Sequence, residues 1–443
     1  MSKSDENRVF RLSYSELIVY INCMLYATAY QLNRPLEIYL VSELVGNTNT
    51  TDHSSTYANL QSWFSILQTI GALICGVFLD KLGYKYCLIL IFISSACSYY
   101  LLSISTSIFI LYLSKVPTIL QHGYLASQKV ICDIIPEEEV RVVALGRLVF
   151  SYQIGLIIGP YLGGKIASYW TDKASGYYFV GKIAAAISIF QVILTLLLPN
   201  MEKIENNTNV NYQQTEIVKK KDTIFDKIYS LFKLVGVLLF TKIISGTANS
   251  IIATTFPLIL KDHFKLNEEE SGIIYSTISF TNAVSNLFLL SPLMNYFDND
   301  YNIAIKSSLQ IIGICSLLQG LCFIVSESPP SSTTESIILF GYLGLSICYT
   351  VFQYLLATSI TTDSTRRVKP SSTGLLLSIE HSLFALARVF APQLAIFILK
   401  FYGPSSPSLI VGLIYSIIVV IFSYLGNDGT MSNIIIPSEA KEM

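Results

Sequence analysis

Twelve apolar stretches of about twenty residues constrain this chain more than any other feature. They lie near 15–43, 57–79, 86–105, 107–131, 146–169, 177–199, 230–260, 271–294, 303–325, 336–360, 373–399 and 407–426. At ~1.5 Å rise per residue, twenty residues cross the ~30 Å apolar core of a bilayer, so each stretch predicts one spanning helix. A polar segment from Asn200 to Lys227 divides them six and six. It holds Asn206, Asn207, Asn209, Asn211, Gln213, Gln214 and the lysines Lys219, Lys220 and Lys221. Such a composition predicts a soluble, disordered linker. The expected organisation is a helical bundle over 1–199, a linker over 200–227, a second bundle over 228–426 and a tail over 427–443.

Composition agrees. The chain is 52% hydrophobic and 13% charged, with mean hydropathy +0.54, where a soluble domain carries about 25% charged residues. The net charge of -1 and the lack of a basic tract point away from nucleic acid. His53, His122, His263 and His381 are far apart, so neither a metal site nor the clustered groups of a membrane enzyme are expected. The eight cysteines fall in or beside apolar runs and read as small core residues. No G-x-x-x-x-G-K-[ST] loop is present, so no nucleotide is expected as energy source and no cofactor is implied. The polar N-terminus, through Ser15, predicts no cleavable signal peptide.

Lysine and arginine bias sets the orientation. With both termini cytoplasmic, that side receives Lys3, Arg8, Arg11, Lys81, Lys85, Arg141, Lys203, Lys219 to Lys221, Lys227, Arg366, Arg367 and Lys369. The opposite loops keep Lys173, Lys261 and Lys265, with Lys165, Lys182 and Lys400 towards helix ends. The Asn49-Thr50-Thr51 sequon then faces away from the cytoplasm, open to glycosylation.

The fifth span reads GRLVFSYQIGLIIGPYLGG from Gly146. Gly155, Gly159 and Gly163 form a bare ridge on one helix face, which permits close backbone approach. Pro160 removes one donor and bends the helix. Gly146, Gly155, Gly159, Pro160, Gly163 and Gly164 fill all six defined positions of the "antiporter motif" of the major facilitator superfamily. A chance match is on the order of one in a hundred thousand. Between the second and third spans, GVFLDKLGYK resembles that superfamily's cytoplasmic signature through Gly76, Asp80, Lys81, Gly83 and Lys85, with Tyr84 in place of an expected base. Gly83 permits a tight turn. The resemblance implies a latch on the cytoplasmic gate, with Asp80 exchanging contacts as the gate moves.

The fourth span and its exit, LYLSKVPTILQHGYLASQKVICD, resemble the family's fourth-helix pattern, with Lys115 replacing its arginine and Asp133 its terminal aspartate. Lysine, unlike arginine, can lose its proton when desolvated. Lys115 and His122 are seven apart and so share a helix face; alternatively Lys115 snorkels from the helix end. A shift of 232 residues puts Ala387, Ala391, Pro392 and Ala395 where Gly155, Gly159, Pro160 and Gly163 stood, a relaxed repeat in the eleventh span.

The resemblance narrows to the organic-cation-transporter-like outlying branch of solute carrier family 22 and to the tetracycline/proton antiporters. It implies an all-α fold with twelve transmembrane helices in two pseudo-symmetric six-helix bundles. It also implies a monomer in the lipid bilayer that exchanges a small amphipathic, often cationic, organic solute for protons.

Cavity candidates follow from polar residues at membrane depth. Asn22, Tyr26, Tyr30, Asn33 and Glu37 form one stripe on the first span, where Pro35 can break the helix. Arg34 can simply pair with Glu37. In the eleventh span His381 and Arg388 share a face beside Glu380, and in the seventh Lys242 shares one with Asn249. Glu37, Glu380, His122 and His381 are the candidates for changing protonation. Gln61, Gln68, Gln153, Asn282, Asn286 and Gln353 read as interhelical hydrogen bonds. An uncoupled facilitator or lipid transporter, and a transporter-shaped scaffold or receptor, remain as alternatives. The compound, the direction, and the choice between plasma and endolysosomal membrane stay open.

Overall fold

Ser13 starts the first helix with a capping box: its Oγ accepts from Glu16 N at 3.2 Å, and Ser13 N donates to Glu16 Oε1 at 3.3 Å. From there the computed structural model describes residues 13–46, 50–135, 138–198, 224–298, 300–326, 332–368 and 370–427. Linker residues 200–223, tail residues 428–443, Asn49 of the sequon and Lys3, Arg8 and Arg11 lie outside the described residues, and residues 224–227, expected in the linker, already belong to a helix.

The helices are α1 Tyr14–Asn33, α2 Glu37–Val45, α3 Thr50–Leu82, α4 Tyr84–Ser103, α5 Ile108–Lys115, α6 Gly123–Ile134, α7 Glu138–Ser168 and α8 Lys173–Leu196. They continue as α9 Ile224–Leu258, α10 Glu268–Phe288, α11 Leu290–Tyr296, α12 Tyr301–Ser326, α13 Ser332–Arg367, α14 Pro370–Tyr402 and α15 Ser406–Asn427. Pairs of helices make up the first (α1, α2), fourth (α5, α6) and eighth (α10, α11) passages, so the described residues trace twelve helical passages and no strand. Eight single helices among them are long and apolar enough to cross a membrane. The first, fourth and eighth passages are interrupted, and the second carries Gln61 and Gln68.

Local chemistry sets the breaks. Pro35 sits in the turn between α1 and α2, as the sequence predicts. Gly83 joins α3 to α4 at φ +79°, a left-handed conformation that favours glycine. Asp172 Oδ2 caps α8 by accepting from Ser175 N at 3.2 Å. After Pro257, α9 ends in a π-helical turn, Ile259–His263.

By backbone proximity the chain forms two compact units: Met1–Thr215 with Phe256–Ala283, and Glu216–Thr255 with Val284–Met443. Residues 256–283, which follow the linker in sequence, thus belong to the first of these units. Tyr39 OH donates to Leu266 O at 2.8 Å and pairs with Ser271 Oγ at 2.7 Å. Lys261 Nζ donates to Ser42 Oγ at 2.9 Å, and His53 Nε2 meets Asp262 Oδ2 at 3.1 Å. Tyr177 OH donates to Glu268 Oε1 at 2.5 Å.

The glycine ridge of α7 packs on α1 inside this unit. A Cβ on Gly155, Gly159 or Gly163 would lie 2.4 Å from Met24 O, 2.7 Å from Gln31 Cβ or 2.1 Å from Leu32 O. On the other side of the row, a Cβ on Gly164 would lie 2.5 Å from Glu268 O, and the Gly272 position meets Pro160 O. Gly146 has open space around it. Beneath the ridge, Ile18, Cys23, Cys75, Phe92, Ile131 and Leu148 belong to one apolar cluster. In the second unit, Ala391 and Ala395 are buried beside Leu231, Val235, Leu309 and Tyr415. All eight cysteines are free thiols. Outward faces carry bulky apolar side chains such as Phe109, Ile193, Phe240, Phe340 and Ile417, the surface a helix offers to lipid.

Lys85 closes a helix end. Its ammonium donates to Leu196 O at 3.0 Å and Leu198 O at 2.6 Å, two orphan carbonyls at the end of α8. Lys85→Met is expected to cost about 1 kcal/mol, read as a small fall in the thermal midpoint of the purified protein. An unchanged midpoint would remove this cap from the account.

Candidate functional site

The first unit holds a narrow, partly open cavity, with about 40 Å³ of free volume, lined by Tyr30, Asn33, Arg34, Glu37, Gln61 and Lys115, among others. Two helix breaks build it. The turn at Pro35 separates Arg34, just past the end of α1, from Glu37, the first residue of α2. Residues three apart on one continuous helix would have been neighbours; across this turn they take different partners. Glu37 pairs with Lys115 and accepts from Gln61 Nε2 at 2.9 Å. Arg34 Nη1 donates to Tyr30 OH at 2.6 Å, with its guanidinium 5.8 Å from the Tyr30 ring centre. The Arg34–Glu37 pair that the sequence left open as the alternative is therefore not formed.

The second break lies in the fourth passage. After Lys115 the chain enters a 3₁₀ stretch, Val116–Leu120, opened by Pro117. This stretch leaves backbone carbonyls without helical partners, which at membrane depth must be satisfied internally. Neighbouring side chains supply the donors. Ser94 Oγ donates to Pro117 O and Tyr26 OH to Gln121 O at 2.7 Å, while Gln68 Nε2 adds a second donor, at 2.6 Å, to Thr118 O, which also accepts from Gln121 N at 2.9 Å. Ser98 Oγ donates to Ser114 O at 2.7 Å, and Gln121 Nε2 to Tyr99 OH at 2.6 Å. Lys115 is thereby held at a helix end but turned inward, with 14% of its side chain exposed against 11% for Glu37. Its ammonium also lies 5.9 Å from the Phe64 ring centre.

The break corrects two sequence expectations. Lys115 and His122 do not share a helix face, because His122 lies beyond the 3₁₀ stretch at the start of α6, beside Gly71. Tyr26 and Asn22 do not line the cavity. Asn22 is fully buried, donating from Nδ2 to Thr195 Oγ1 at 3.2 Å, and its main-chain oxygen accepts from Gln191 Nε2 at 2.7 Å. Sequence reasoning missed Phe64, Tyr99, Ser114, Thr118 and Gln121 as lining residues and read Gln61 only as a bundle contact. Pro117, two residues after Lys115, was the available signal.

In the second unit, Lys242 on α9 pairs with Glu380 on α14, a carboxylate only 4% exposed. Lys242 Nζ also donates to Thr361 Oγ1 at 2.8 Å, and Ser364 Oγ to Glu380 Oε1 at 2.8 Å. The partner of Glu380 is thus Lys242 rather than Arg388. Arg388 is half-buried on the same helix. The side chains of His381, Asp80 and Lys81 lie outside the described residues, as does the side-chain environment of Gly76. Asp133 makes an exposed pair with Lys129 at 2.5 Å, one turn away on α6.

Comparison with known proteins gives a consistent result. The model of the Major Facilitator Superfamily matches residues 19–368. Solute carrier family 22 member 18 of Mus musculus is 27% identical over 363 residues, covering 79% of this chain and 82% of that protein. The class H tetracycline resistance protein of Pasteurella multocida is 24% identical over 312 residues, 69% of this chain and 73% of that protein. Among solved structures, the POT family transporter PepTSo superposes with a TM-score of 0.73 at 10% identity, covering 96% of this chain and 99% of that one.

Proposed function

Because the chain belongs to the major facilitator superfamily, we propose that it is a secondary transporter exchanging a small amphipathic organic solute for protons by alternating access. The observation that carries this reading is a largely buried, oppositely charged pair, Glu37–Lys115, on the wall of a partly open cavity in the first unit. A proton on Glu37 converts the pair to a neutral acid beside an uncompensated ammonium. Removing one partner of a buried pair costs about 3–5 kcal/mol, enough to bias two conformations that treat the pair differently. A proton leaving Lys115 has the same consequence with the sign of the residual charge reversed. Lys242–Glu380 is a second candidate for the same role. The lysine and arginine bias supports cytoplasmic termini, and the Gly76 to Lys85 loop is proposed as the latch on that side.

The test is flux of amphipathic solutes into proteoliposomes bearing an imposed pH gradient, with an internal pH dye. Solute entry should move protons outward, and a protonophore should abolish accumulation. If flux is unchanged when the gradient is collapsed, the protein is an uncoupled facilitator.

A further inference from the structure

Arg34 is the cavity's unspent charge. Among the described residues its guanidinium donates one hydrogen bond, to Tyr30 OH, and no carboxylate lies within ion-pair distance. Arginine carries five N–H donors and does not deprotonate in proteins. The carboxylate nearest in sequence, Glu37, is already taken by Lys115 and Gln61. Among the described lining residues two cations face one carboxylate, which leaves a single positive charge in a half-enclosed space. A charge so placed is costly until a counter-ion arrives.

We propose that the transported solute is an organic anion whose carboxylate is held by the Arg34 guanidinium, with its apolar body against Tyr30, Phe64 and Tyr99. The inference rests on the cavity being the transport site proposed above. It departs from the cationic solute that the sequence resemblance implies, and the electrostatics decide between the two. A cation entering here meets a net positive field, and its one acidic partner is reached only by displacing Lys115. A carboxylate meets a planar fork of unused donors matched to its two oxygens. The remaining wall suits the rest of such a molecule: Tyr30 and Phe64 stack with ring centres 6.3 Å apart, and Leu36, Leu40 and Leu102 complete the apolar lining.

The experiment measures thermal stabilisation and Kd of the purified full-length protein with a panel of arylalkyl carboxylates, each compared with the arylalkylamine of the same skeleton. No gradient is needed, so a failure of proton coupling leaves this result standing, and the converse holds. Carboxylates should stabilise the wild type where the matched amines do not. Arg34→Gln should weaken carboxylate binding by at least about tenfold, and Arg34→Lys should restore part of it, because the charge returns without the fork. If Arg34→Gln is not monodisperse on size exclusion, Arg34→Lys carries the test with an expected loss of about fivefold or more. The proposal is overturned if amines bind in preference, if no carboxylate binds, or if carboxylates bind the Arg34 variants as tightly as the wild type.

Discussion

Gly163→Ala is expected to lower the stability of the purified protein by about 3 kcal/mol or more, the largest effect of any single methyl added to the glycine row. The new Cβ would lie 2.1 Å from Leu32 O, a backbone atom of α1 that cannot rotate away. Overpacking costs about 1–3 kcal/mol where side chains can yield, and here two helix backbones must separate instead. Gly155→Ala, at 2.4 Å from Met24 O, should follow, and Gly159→Ala should be mildest because its nearest neighbours, Gln31 Cβ at 2.7 Å and Thr28 O at 2.8 Å, are the farthest of the three sets. Gly146→Ala has open space and should be neutral or slightly stabilising, since alanine is the better helix former. Heating in detergent followed by size-exclusion chromatography ranks the four. Equal midpoints across the series would show that the row is not a packing seam.

Glu37→Gln is expected to abolish gradient-driven accumulation while leaving a protein that still reaches the membrane. On its own it strands Lys115 with 14% of its side chain exposed, and a fall of about 3–5 kcal/mol in stability is expected. The informative variant is the double replacement Glu37→Gln with Lys115→Met. Neutralising both partners of a buried pair is often close to neutral for folding, so stability should recover. Coupling should not, because no titratable group remains at this point of the cavity. Accumulation in proteoliposomes and the thermal midpoint together separate the outcomes. Recovery of both would make the pair a structural strut and shift proton coupling elsewhere, with Lys242–Glu380 the next pair to test.

Local signals in the sequence were easy to read. Twelve apolar runs, the glycine row ahead of Gly164, the turn at Gly83 and the break at Pro35 each depend on residues within one helix length, and each appears in the structure. Pairings between distant segments were not legible. Lys242 and Glu380 are 138 residues apart, and nothing in a single sequence favours Lys242 over Arg388, which lies two turns along the same helix as Glu380. The fourth passage failed for a different reason. A helical wheel assumes an unbroken helix, and Pro117 ends that assumption between Lys115 and His122. Arg34 and Glu37 fail likewise, because three residues span one turn only when no proline lies between them. The same breaks that defeat periodicity turn Arg34, Glu37 and Lys115 into a cavity.

The membership of residues 256–283 in the first unit has a consequence for synthesis. As the chain leaves the ribosome, the six helical passages up to Leu196 are complete while Tyr39, Ser42 and Tyr177 still lack Ser271, Lys261 and Glu268. That unit stays unfinished until translation has passed Ala283. A gene cut after residue 199 should therefore yield an N-terminal fragment that matures only when the other fragment is made in the same membrane.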